Sequence, residues 1–159
     1  MVMYTDEFLE KLCKGLNKGL MLQRRRLVLV KSSQDVPSPK PRFGRTFLLK
    51  YEQNKKSLEQ MFGKKMFVSV LSDTNSMDGV MDSGHLALIS EGIDEKDLIV
   101  GDVISFFYDD NNPRILHRII EIGKDKFGWF CYTRGDNVTI PEGKIRKEQL
   151  NGVLLGLLY

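Results

Sequence analysis

From Met66 onward the chain breaks into short apolar, β-prone segments separated by Gly, Asp and Asn, and this punctuation constrains the fold more than any other feature. Six segments qualify as strands: Met66 to Leu71, His85 to Ser90, Val103 to Tyr108, Ile115 to Ile122, Phe127 to Thr133 and Gly152 to Leu158. So many short strands with turn residues between them predict a mostly antiparallel β-domain over residues 66–159. Gly123 to Asp125 is the expected hairpin turn between the fourth and fifth strands.

Residues 1–65 read differently, as a basic N-terminal extension. Phe8, Leu9, Leu12, Cys13, Leu16 and Leu20 recur three or four residues apart behind an acidic start and ahead of Arg24-Arg25-Arg26, which predicts a helix over about 5–23. A proline-rich stretch over 32–41 has three prolines in five residues, incompatible with regular helix or central strand, and is expected to be an exposed linker. Phe47 to Tyr51 is expected as a strand and Ser57 to Phe62 as a helical turn. The whole is therefore mainly β, or α+β when the extension is counted.

With 159 residues, 42% of them hydrophobic, the chain can bury one ordinary core and not two. Its charge is uneven: the first 65 residues carry 15 Lys and Arg against 6 Asp and Glu, the rest 9 against 15. A basic half of that size suits nucleic acid or an anionic surface, and equally a solvated face that docks on the acidic half. Cys13 and Cys131 are far apart with no Cys-x-x-Cys or Cys/His cluster, which argues against a disulfide framework or a zinc site, and no metal or cofactor is expected. No apolar run reaches the roughly 20 residues of a membrane span, and the first ten residues lack the order of a signal sequence. No transmembrane anchor and a cytoplasmic location are expected.

Three groups that can do chemistry together fall at probable strand ends. Ser76 follows the first strand after a short polar step, where its hydroxyl can be approached by a substrate. In Ile115-Leu116-His117-Arg118-Ile119, alternation puts His117 on the face of Ile115, and Leu116 with Arg118 on the other. An imidazole in that position is a usable base at neutral pH. Asp136 lies in a turn after the fifth strand and could fix the imidazole tautomer, with Glu142 a second candidate for the same task. Taken singly, a turn serine, a structural histidine and a turn aspartate are the commoner readings.

Their order carries more. Thr74-Asn75-Ser76-Met77-Asp78, Met81-Asp82-Ser83-Gly84-His85, Val100-Gly101-Asp102-Val103, Leu116-His117-Arg118-Ile119, Thr133-Arg134-Gly135-Asp136-Asn137 and Asn151-Gly152-Val153 resemble the successive boxes of the type I signal peptidases, a superfamily shared with the self-cleaving SOS-type repressors. The resemblance covers about Met66 to Tyr159. It implies a signal-peptidase-like antiparallel β-domain with Ser76 as nucleophile, His117 as general base and Asp136 as orienting carboxylate. The Ser76 amide and the Thr74 hydroxyl would form the oxyanion hole. His117-Arg118 resembles the branch that uses histidine, where bacterial signal peptidases and SOS-type repressors use lysine. In this family the substrate lies as an added strand beside the nucleophile's strand, which makes Met77 and Val68 candidates for lining its pockets.

The resemblance thus implies a serine endopeptidase acting on a protein or peptide through an acyl-enzyme. A phage- or SOS-type regulator, whose basic region binds nucleic acid or a partner, is an alternative, as is an inactive interaction module on the same fold; a homo-oligomer is left open as well. Ala87 is the single alanine, so the chain has no Ala-Gly site for self-cleavage. The extension offers one helix where a helix-turn-helix needs two.

Overall fold

The structure is a computed structural model and describes residues 36–42, 44–108 and 113–159. The expected helix over 5–23 lies outside the described residues. Helix α1 (Gly44–Phe62) leads into seven strands: β1 (Met66–Val70), β2 (Leu86–Glu91), β3 (Val103–Phe106), β4 (Ile115–Asp125), β5 (Gly128–Arg134), β6 (Ile145–Arg146) and β7 (Leu150–Leu158). They form one antiparallel sheet in the order β1-β2-β7-β3-β4-β5-β6. The last strand therefore sits mid-sheet between β2 and β3, and β1 is at an edge among the described residues. Among the described residues the fold is mainly β with one α-helix, as the strand punctuation implies.

Two local expectations give way, and one short strand was not expected. Phe47 to Tyr51 is helical and belongs to α1. The sequence GRTFLLKYEQNKKSLEQMF holds no proline and many good helix formers, and burial of Tyr51 together with the Phe47–Tyr51 ring stack at 6.3 Å favours the helix over a short isolated strand. The β4–β5 turn is not at Gly123: Asp125 pairs with Gly128, leaving Lys126 and Phe127 as a two-residue loop. The Asp125 carboxylate accepts the Phe127 N–H at 2.9 Å, and Gly128 takes the positive φ (+105°) that closes the turn. The two-residue strand β6 went unseen because so short a run has no period.

The core straddles the sheet. Leu98, Ile104, Phe106, Ile115, Ile119, Cys131 and Ile145 form one buried cluster; Met77, Met81 and Val103 form another with Leu71, Leu116, Leu154 and Leu157 packed against it. Burial of Cys131 pushes its thiol up to about 12, so it behaves as a small apolar side chain. Between Ile119 and Glu121 the β4–β5 register slips by one residue, a bulge that turns Ile120 outward while Ile115, His117 and Ile119 stay on the buried face.

The proline-rich segment is not simply an exposed linker over its described part. The Val36 N–H donates to Asp78 Oδ2 (3.3 Å), Ser38 Oγ accepts the Gly79 N–H (2.9 Å), and the His85 ring meets the Pro39 carbonyl. His85 Nδ1 accepts the Asp82 N–H (3.2 Å), so Nε2 carries the proton and donates to that carbonyl. The segment is thereby seated on the turns that follow Ser76. Among the described residues no helix is long and apolar enough to cross a membrane.

Candidate active site

Four elements converge on Ser76. The stretch from β1 to the turn at Gly79 carries Thr74 and Ser76; β4 carries His117; β5 carries Thr133; and the loop after β5 carries Glu142. Ser76 Oγ lies 2.9 Å from His117 Nε2, and His117 Nδ1 lies 2.5 Å from Glu142 Oε1. With Nδ1–H donating to the carboxylate, Nε2 is left as acceptor for the serine hydroxyl. Thr133 Oγ1 donates to the other Glu142 oxygen at 2.9 Å, and the Glu142 N–H donates to the Thr133 carbonyl at 2.9 Å. Thr74 Oγ1 is 3.2 Å from Ser76 Oγ. A hydrogen-bonded line thus runs from Thr74 through Ser76, His117 and Glu142 to Thr133.

The line is nearly dry: Ser76, His117 and Glu142 are 7%, 6% and 8% exposed, and Thr133 is fully buried. Burial weakens dielectric screening, so the carboxylate acts strongly on the imidazole that it orients.

Asp136 stands elsewhere. It makes a bidentate pair with Arg118, Nε to Oδ1 at 2.8 Å and Nη2 to Oδ2 at 2.6 Å, while Arg118 Nη1 donates to the Gly101 carbonyl at 2.7 Å. That pairing raises the Arg118 pKa. The reason is strand alternation: Arg118 follows His117 and points to the opposite face, so the two side chains must find different carboxylates. The loop 135–142 supplies both. The sequence reading gave the histidine to Asp136 first and to Glu142 second; in the structure it is Glu142 that meets the ring.

Several positioning residues had no signal as such in the sequence. Asn137 Nδ2 donates to the Asn75 carbonyl at 2.9 Å, and the Asn137 N–H donates to the Ser76 carbonyl at 2.9 Å, clamping the loop that presents the serine. Asn75 holds a positive φ of 57°, a conformation asparagine tolerates better than most residues. Gly135 passes so close that a Cβ there would lie 2.4 Å from the Ser76 carbonyl oxygen and 3.0 Å from His117 Nε2. Thr133 needed only the knowledge that Glu142 folds back onto β5. Met77 is buried against Met81 and Val103, and its sulfur accepts the Asp136 N–H at 3.2 Å, so it lies in the core beneath the site. Val68 is half-buried on β1. No group of three or more His, Cys, Asp or Glu side chains among the described residues could hold a metal ion.

A curled antiparallel sheet with a hydroxyl, an imidazole and a carboxylate joined in one line has the constellation that serine hydrolases share on unrelated folds. No family model matches the chain. Over 69 residues it is 42% identical to Signal peptidase I W of Bacillus subtilis (strain 168), an alignment that takes in 43% of this chain and 35% of that protein. The match thus spans about a third of the relative's length, and the likeness to a signal peptidase is to that stretch.

Proposed function

We propose that the chain is a serine endopeptidase of the signal-peptidase-like superfamily with a histidine base, in which Ser76 is the nucleophile, His117 the base and Glu142 the carboxylate that orients it. The unbroken hydrogen-bonded line from Ser76 Oγ to Glu142 Oε1 carries this reading. Ser76 Oγ attacks the scissile carbonyl carbon while His117 Nε2 takes the hydroxyl proton. The imidazolium, held by Glu142, returns that proton to the leaving amine, and an acyl-Ser76 ester remains. Water, deprotonated by the same nitrogen, then releases the acid. The Ser76 amide and the Thr74 hydroxyl stabilise the developing oxyanion.

The substrate is an extended peptide added to β1. Leu71 N–H donates to the His85 carbonyl and Glu91 N–H to the Lys65 carbonyl, so the odd-numbered residues of β1 bond to β2. The even-numbered Val68 and Val70 therefore turn their backbone groups off the sheet edge, a few residues before Ser76. An inactive interaction module would have no need of Glu142 buried against the imidazole and held by Thr133. Neither the fold nor the likeness supports a nucleic-acid partner.

Intact-mass measurement after incubation with a peptide library tests this. Cleavage by the parent that vanishes in both Ser76→Ala and His117→Ala is the expected result. Absence of cleavage across pH 6 to 9 would turn the reading toward a peptide-binding module.

A further inference from the structure

The edge of β1 is not open along its whole length. Met66 belongs with Val68 and Val70 in turning its backbone outward, yet its N–H donates to Glu59 Oε1 at 3.0 Å. Glu59 is on the last turns of α1, which packs on β1. Its carboxylate occupies the position that a carbonyl of an incoming strand would need at Met66. Among the described residues Val68 and Val70 have no such cover, and Val70 is 52% exposed. From Met66 to Val70 is four residues, or roughly 13 Å at the ordinary strand rise.

We propose that α1 limits the length of the bound peptide: Glu59 closes the ladder at Met66, so the edge accepts a short extended segment pairing with Val68 and Val70, and whatever lies beyond must leave the sheet. This rests on the peptidase reading for the occupant and adds which part of it is held. The carboxylate is also a barrier of charge, since a carbonyl oxygen approaching Met66 meets an anion that already owns the donor. A substrate whose recognised part is short and extended, followed by a stretch that need not be a strand, fits this edge; one that needs a long continuous strand does not.

The test uses the full chain carrying Ser76→Ala, labelled with nitrogen-15, and capped peptides of alternating valine and threonine, six and ten residues long. Amide exchange is read by NMR and affinity by titration. Expected are slowed exchange at Val68 and Val70 on adding either peptide, no change at Met66, and affinities within about twofold of each other. In the Glu59→Ala version Met66 joins the protected amides and the ten-residue peptide gains about three- to tenfold, the worth of one added hydrogen bond. Glu59→Gln keeps the acceptor oxygen and behaves as the parent. Should Glu59→Ala unfold, the length response of the parent and of Glu59→Gln still decides the matter. A Met66 response or a length-dependent gain in the parent overturns the proposal, as do Val68 and Val70 amides already protected without peptide, or no peptide binding at all. Cleavage by the Ser76-intact protein is read separately: cleavage without the length limit overturns this inference alone, and the limit without cleavage overturns the peptidase reading alone.

Discussion

His117 and Arg118 are neighbours on one strand, and each is met by a carboxylate from the same loop, yet the two pairs have little in common. His117 and Glu142 have side chains 7% and 5% exposed; those of Arg118 and Asp136 are 35% and 23% exposed. In the first pair low screening makes the carboxylate a strong partner for the ring, and Ser76 completes the line. In the second, water competes for both ions, and the pair ties the Gly101 turn to the loop after β5. A one-residue step along a strand thus separates a buried imidazole–carboxylate pair joined to Ser76 from a more exposed, bracing ion pair, because the step reverses the face and with it the dielectric.

The sharpest way to break that contrast is to remove each carboxylate in turn. Glu142→Gln is expected to lower kcat about 10³–10⁴-fold with little change in KM, as when a triad histidine loses its orienting partner. Asp136→Asn in the same peptide-cleavage assay should change kcat less than about threefold. Equal losses, or the reverse order, would undo the division of roles. Thr74→Val comes next: loss of one oxyanion donor is worth about 10²–10³ in kcat, or about 2.7–4 kcal/mol.

Smaller effects concern stability. Gly135→Ala forces a methyl group against the Ser76 carbonyl, so denaturant unfolding should register a loss of about 1–3 kcal/mol. A neutral result would mean that the loop holding both carboxylates can shift freely. Asp136→Asn should lose at most about 1 kcal/mol, and the loss should shrink in high salt, whereas a buried pair would be little affected by salt.

A third carboxylate extends the comparison to pH. Asp125 accepts from Lys144 and Arg146, each at 2.8 Å, and these bonds hold its pKa far below the usual carboxylate range. A depressed folded-state pKa means stability that is fully present above the unfolded value of about 3.9 and lost as the pH falls toward the folded one. The melting temperature of Asp125→Asn should therefore lie below that of the parent at neutral pH, and the gap should close on acidification below about pH 4. A gap that widened in acid would contradict the assignment.

Much of the β-domain was legible because each strand carries its own local marks. Ile115, His117 and Ile119 alternate with Leu116 and Arg118, and that period puts His117 on the face of Ile115; the structure shows this face to be the buried one. The order of the boxes singled out Ser76 and His117, which the structure brings to 2.9 Å of one another. The carboxylate was not singled out: Asp136 and Glu142 are both acidic residues in one loop, and nothing local says which will turn inward. Phe47 to Tyr51 misled for a related reason, since a five-residue apolar run has no period that separates strand from helix.

The sequence by itself determined a mainly β fold and the positions of most strands, and it singled out two of the three groups in the hydrogen-bonded line, because alternation and turn chemistry are written over a few residues. Only the tertiary structure decided that Glu142 meets His117, that Asp136 goes to Arg118, that the described part of the proline-rich segment sits on the turns after Ser76, and that Glu59 caps the edge at Met66. Each of those contacts joins residues whose approach depends on how chain segments are folded against one another. The spacing of residue types along the chain does not encode that distance.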